Sequence, residues 1–173
     1  MKQSRKVWSG NYIEVVVDGR WEYVLRARSI GAAVILAIDD GHVILVEQVR
    51  VPLGGARCLE LPAGLVGDEA EGEAIEAAAL RELEEEAGYT AEAIEIIGKF
   101  ASSPGMLGET FTLVRARGVR RIAEGGGIGE EDISVHRVPL PQVADFVARR
   151  RAAGVIVDVK LLTLLGSSII DGN

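Results

Sequence analysis

Glu82, Glu85 and Glu86 stand close together near the middle of the chain, in the run Leu-Arg-Glu-Leu-Glu-Glu-Glu-Ala-Gly that ends at Gly88. Carboxylates are the ligands that hard divalent cations prefer, often together with substrate phosphates. On a helix, Glu82 and Glu86 lie one turn apart, about 40° from each other around the axis. Glu85 flanks them, and Ala78 leaves room between. Such a helix is costly by itself. Like charges at i,i+3 and i,i+4 each cost roughly 0.2–0.5 kcal/mol. The glutamates also crowd the last turn, where the helix dipole is negative and lysine is favoured. A bound divalent cation removes both penalties. A solvated acidic face is the plainer alternative, and the wrong-end placement counts against it.

The helix that carries these groups is legible. Ala and Leu dominate the second half of residues 67–89, Glu73 opens it and Gly88 sits where a C-terminal cap is wanted. Ala79, Leu80, Leu83 and Ala87 share its inward face. Two continuous apolar runs, Ala32 to Ile38 and Val43 to Val49, flank Asp39-Asp40-Gly41 and predict buried strands joined by a tight turn. Residues 11–17 and 21–28 predict a hairpin around Asp18-Gly19. Cys58 to Gly64 reads as a strand entering a turn. Ile94 to Phe100, Phe111 to Arg117 and Ile133 to Val138 read as further strands. Gly118 to Glu130 is polar, glycine-rich and expected to be mobile, a candidate lid. A helix follows Pro139-Leu140-Pro141, with Arg149, Arg150 and Arg151 complementing the dipole at its end, and another runs from about Asp158 to Ser168. Strands, one helix, more strands and then helices predict an α+β fold with a mixed sheet between helices.

With 173 residues, 48% apolar and 26% charged, the chain has the composition of one globular domain, or of one domain with a small appendage. A net charge of −7 argues against non-specific nucleic-acid binding. A lone Cys58 excludes an internal disulfide. No apolar run approaches the roughly 18 residues of a membrane span, and the first residues lack the apolar core of a signal peptide. A soluble cytoplasmic protein without a membrane partner is expected. Arg50 closes an apolar strand, where its guanidinium needs an acidic partner; it either makes a structural ion pair or clamps a phosphate.

Gly67, Glu73, Arg81, Glu82, Leu83, Glu85, Glu86, Gly88 and Tyr89 match the Nudix box position by position, so the chain resembles a Nudix hydrolase. The family cleaves nucleoside diphosphates linked to another group. The resemblance implies an α/β/α sandwich over 31–173, preceded by an N-terminal β-hairpin segment at 1–30 that pairs subunits into a homodimer. It implies that Glu82 and Glu86 bind Mg²⁺, or Mn²⁺, with Glu85 as a further ligand or a water-positioning carboxylate. Arg81, counted with the catalytic set, holds the box glutamates by charge-assisted hydrogen bonds.

The Leu-Pro-Ala-Gly run ending at Gly64 looks like the one before the box in ADP-ribose pyrophosphatases, where the alanine carbonyl is a metal ligand; here that is Ala63. This chain departs from the pattern, because Gly64 and Gly67 are separate residues and an inserted loop is expected between them. Pro104 and Glu109 match that branch, and Arg50 and Arg28 are further substrate-facing candidates. In relatives a loop glutamate handles the attacking water. Glu131, next to Asp132-Ile133, aligns best, and Glu130 is the alternative. The implied reaction is hydrolysis of a nucleoside diphosphate sugar, foremost ADP-ribose to AMP and ribose 5-phosphate. GDP-mannose or an oxidised nucleoside diphosphate is the second reading, and a non-catalytic nucleotide-binding module is the third.

Overall fold

The computed structural model describes residues 4–27, 30–67, 72–129 and 131–170. Its strands and helices run β1 (Arg5–Ser9), β2 (Ile13–Asp18), β3 (Trp21–Arg26), β4 (Gly31–Asp39), β5 (His42–Arg50), β6 (Ala56–Glu60), β7 (Ala63–Val66), α1 (Ile75–Ala87), β8 (Tyr89–Thr90), β9 (Ala93–Ala101), β10 (Thr110–Arg117), β11 (Arg120–Arg121), β12 (Ile133–Pro139), α2 (Val143–Ala152), β13 (Ile156–Val157) and α3 (Leu162–Ile170). The expected hairpin at the N-terminus is part of a three-stranded antiparallel sheet, because β1 adds to β2. Among the described residues no helix is long and apolar enough to cross a membrane.

The main sheet is mixed. β10 runs parallel to β4 and β13 parallel to β6, and the remaining pairs are antiparallel. β4 and β5 pair only beside their turn, at Ile38–Val43 and Asp39–His42. Beyond that they fork. β4 takes β7 and β10 as neighbours, and β5 takes β6 and β12. Both faces are covered, which is why these strands are continuously apolar. With a side-chain period of two, Ala33, Ile35 and Ala37 meet Ala79, Leu83 and Ala87 of α1, while Val34 meets Val143, Val147 and Leu161 on the opposite side. This is the expected sandwich. One sequence expectation is overturned: Leu65 and Val66 form no inserted loop. They extend β7, with Val66 opposite Gly31 and Ala63 opposite Val34.

The basic cluster fills the last turn of α2, as expected, and one of its members has a further use. Arg150 reaches back to Glu47 of β5 with Nε and Nη2 donating at 2.8 and 2.6 Å. Glu47 is only 2% exposed and also accepts from Arg57 Nε at 2.8 Å, and His136 Nε2 lies 3.3 Å away. Burial pushes the Glu47 carboxyl up, but the hydrogen bonds from Arg150 and Arg57 outweigh it and hold the group below its ordinary value. Burial lowers His136, against the pull of Glu47. Both groups have folded pKa values below their unfolded ones. Their stability is therefore present at neutral pH and is lost on acidification, for His136 below about 6.5 and for Glu47 below about 4.5. Glu47→Ala leaves these cations facing one another and is expected to lower unfolding free energy by about 3 kcal/mol in urea titrations at pH 7. The free thiol Cys58 is buried, and burial pushes it up to about 12, so it is not a nucleophile at neutral pH.

Candidate active site

The helix α1 begins at Ile75, two residues after Glu73. Glu73 therefore does not open the helix. Its carboxylate accepts from Gly67 N at 3.1 Å and from Arg81 Nε at 3.3 Å, which ties the preceding segment to the helix. Gly88 ends α1 in the left-handed conformation, φ 72°, with its N–H on the Glu84 carbonyl, as its position in the sequence predicts.

Arg81 organises the carboxylates. Its Nη1 donates to Glu82 Oε1 at 2.8 Å and to Glu85 Oε2 at 3.3 Å, and its Nη2 to the Leu65 carbonyl at 3.3 Å. The cation offsets the repulsion that makes the helix costly. No basic residue stands in the last turn of α1. Backbone donors serve instead: Gly126 N bonds the Glu86 carbonyl at 2.9 Å and Gly127 N the Glu85 carbonyl at 3.0 Å. Ile122 and Ala123 donate to the Gly88 carbonyl, and β11 pairs with β8. The glycine-rich segment expected to be a mobile lid is thus, over 120–127, a docked cap on the carboxylate helix.

Glu86 is 8% exposed, and its Oε2 accepts from Ala63 N at 3.0 Å. Burial raises its carboxyl to about 7, opposed by the Ala63 hydrogen bond and reinforced by the charge of Glu82. Glu82 lies against Gly64 so closely that a Cβ there would fall 1.8 Å from its Cδ. Two carboxylates meet the backbone at Ala63 and Gly64, and the buried one, Glu86, makes no ion pair among the described residues. These are hard oxygen donors of the kind a divalent metal ion prefers.

Beside Ala63 and Gly64 opens a cavity of about 330 Å³, walled by Arg50, Glu60, Phe111 and Lys160 among others. Arg50 donates to Glu60 with Nε and Nη2, each at 2.6 Å, so its structural ion pair and its place at the cavity coexist. Glu109 pairs with Arg26 across the junction with the N-terminal sheet. The two form a wall shared with a second cavity of about 350 Å³.

The structure brings Glu82, Glu85, Glu86, Arg81, Ala63, Arg50 and Glu109 to one end of the fork. It does not bring Pro104, which lines a separate cavity with Trp21 and Tyr23. Glu131 turns into its own loop, where its Oε2 accepts from Ile128 N at 2.9 Å. Glu130 and Arg28 lie outside the described residues. Glu60, Arg26, Gly64 and Lys160 were not legible as site residues. Glu60 closes β6 opposite Val46 of β5, and only the pairing of β5 with β6 exposes that relation.

The NUDIX domain family matches residues 27–158. The chain is 33% identical over 153 residues to the ADP-ribose pyrophosphatase of Bacillus subtilis (strain 168), covering 84% of this chain and 80% of that protein. It is 30% identical over 157 residues to the methanol dehydrogenase activator of Bacillus methanolicus, covering 86% and 83%. A crystal structure of an ADP compounds hydrolase superposes with a TM-score of 0.68 at 23% identity, over 99% of this chain and 94% of that one. With its box residues gathered at the fork and the family matched over most of its length, this chain belongs to the Nudix hydrolase family.

Proposed function

We propose that this protein is a cytoplasmic, Mg²⁺-dependent hydrolase of the diphosphate bond in nucleoside diphosphate sugars, with ADP-ribose as the preferred substrate and AMP and ribose 5-phosphate as products. The observation that carries the reading is the pair Glu82 and Glu86 at Ala63-Gly64, opening on a cavity walled by cations. The similarity to the ADP-ribose pyrophosphatase of Bacillus subtilis supports the choice of substrate.

Glu82 and Glu86 would hold the metal, with Glu85 or the Ala63 carbonyl completing the set. Bound there, Mg²⁺ or Mn²⁺ supplies charge neutralisation to the diphosphate and acidifies a water. Arg81 fixes Glu82 and Glu85 in place, and Ala63 N does the same for Glu86. Arg50 and Arg26 bring positive charge to the cavity, each oriented by its carboxylate. Glu131 is the candidate to orient or deprotonate the attacking water after leaving Ile128 N, and Glu130 is its alternative.

The test is AMP release from ADP-ribose with Mg²⁺, run beside GDP-mannose and oxidised nucleoside diphosphates. A kcat/KM for ADP-ribose at least about tenfold above the others is expected, a margin of about 1.4 kcal/mol. GDP-mannose or an oxidised nucleotide ranking first would overturn the choice of substrate.

Residues 1–30 are proposed as a dimerisation element for the hydrolase domain at 31–173. Val7, Trp8, Ile13 and Trp21 are exposed on the small sheet, with Tyr12 exposed in the turn between β1 and β2, and clustered apolar surface of this kind marks interaction sites. Light scattering is expected to give twice the chain mass, and Trp8→Glu to halve it; a monomeric wild type would reject the element.

A further inference from the structure

Lys160 reaches the site from a part of the chain that lies beyond the segment matched by the family, which ends at residue 158. The pairing of β13 with β6 delivers it there. Asp158 N donates to the Leu59 carbonyl at 3.0 Å, and the short 3-10 turn Val159–Leu161 follows, pinned by the fully buried Leu161. Lys160 therefore stands on the wall of the cavity that also borders Ala63 and Gly64, its side chain only 18% exposed and its ammonium 5.7 Å from the centre of the Phe111 ring.

The cations of this cavity are held differently. Arg50 spends two donors on Glu60, in a fixed fork. Arg26 is tied to Glu109 across the wall. Lys160 contacts Asp158 Oδ2 at 2.5 Å through one ammonium on a flexible four-carbon stem. Asp158 has a second task, capping the 3-10 turn by accepting from Lys160 N at 2.7 Å. The ammonium can leave without uncapping the turn, because a different carboxylate oxygen serves each contact.

We propose that Lys160 binds a phosphate oxygen of the substrate, and that Asp158 keeps the ammonium at the cavity wall until substrate takes it. This rests on the reading of the site as a nucleoside diphosphate sugar hydrolase. Substrate and Asp158 compete for one cation, so the two residues have opposite effects on affinity. A structural ion pair gives no such opposition.

The experiment is steady-state kinetics of Lys160→Met, Asp158→Asn and the double variant with ADP-ribose and Mg²⁺, beside calorimetric titration of each with ADP. Methionine keeps an apolar stem over Phe111, and asparagine keeps the cap. Lys160→Met is expected to raise KM about tenfold, the worth of one charge-assisted hydrogen bond, with kcat within about twofold. Asp158→Asn is expected to lower KM about threefold, the double variant to match Lys160→Met, and ADP affinities to follow the same order. An unmoved KM in Lys160→Met, or a rise in KM in Asp158→Asn, overturns the proposal. A wild type that cleaves no nucleoside diphosphate sugar contradicts the functional reading instead, and the ADP titration then decides the role of Lys160 separately.

Discussion

Glu86→Gln is expected to lose turnover by roughly a thousandfold while its metal-free form becomes more stable than the wild type. Both effects have one cause. Glu86 is a buried carboxylate with Glu82 and Glu60 as negative neighbours, and burial before all else lifts its carboxyl to about 7. Its folded pKa lies above its unfolded one, so the folded state holds the extra proton. The metal-free protein therefore loses stability as pH rises from about 4.5 through about 7, and the loss is complete above that. Glutamine carries no charge, and its amide oxygen can still accept from Ala63 N. Above pH 7 the variant should gain on the order of 2 kcal/mol over the metal-free wild type. Urea midpoints in EDTA at pH 6 and pH 8, with AMP release alongside, measure both halves. Turnover at the wild-type level would remove Glu86 from the chemistry. A pH-independent midpoint difference would remove the buried charge from the stability argument.

Gly64→Ala comes next in size. The added Cβ would lie 1.8 Å from Glu82 Cδ and 2.0 Å from its Oε1, so the carboxylate must move. What it meets is the far end of a flexible side chain, and the backbone need not shift. The expected cost to the fold is therefore about 1 kcal/mol. Activity should suffer far more, since an ångström-scale displacement of a catalytic group costs about a hundredfold. Gly98→Ala is a suitable control, because its Cβ would meet nothing closer than Phe100 at 3.5 Å. A Gly64→Ala enzyme of wild-type kcat/KM would mean that the working position of Glu82 is elsewhere.

How much of this was legible in the amino-acid order depends on the range of each interaction. The carboxylate helix, its inward Ala79, Leu83 and Ala87, and its cap at Gly88 follow from contacts within one or two turns, so the sequence displays them. The runs that became β4 and β5 advertise burial on both faces in the same way. A repeat of two or 3.6 residues says which side of an element is buried, and not what lies opposite. Glu47 and Arg150 meet across 103 positions, and Leu65-Val66 reads as a loop until β4 offers it an edge. The Gly126 and Gly127 amides look like free hinge material until they are seen on the last carbonyls of α1. Sequence alone determined the carboxylate helix and the family to which it points. Tertiary structure decided that Arg81 and Ala63 hold its carboxylates, that Gly64 makes room for one of them, and that Arg26, Arg50 and Lys160 share the cavity beside them. The physical reason is that pairing and packing partners are chosen by the path of the whole chain, which local spacing does not record.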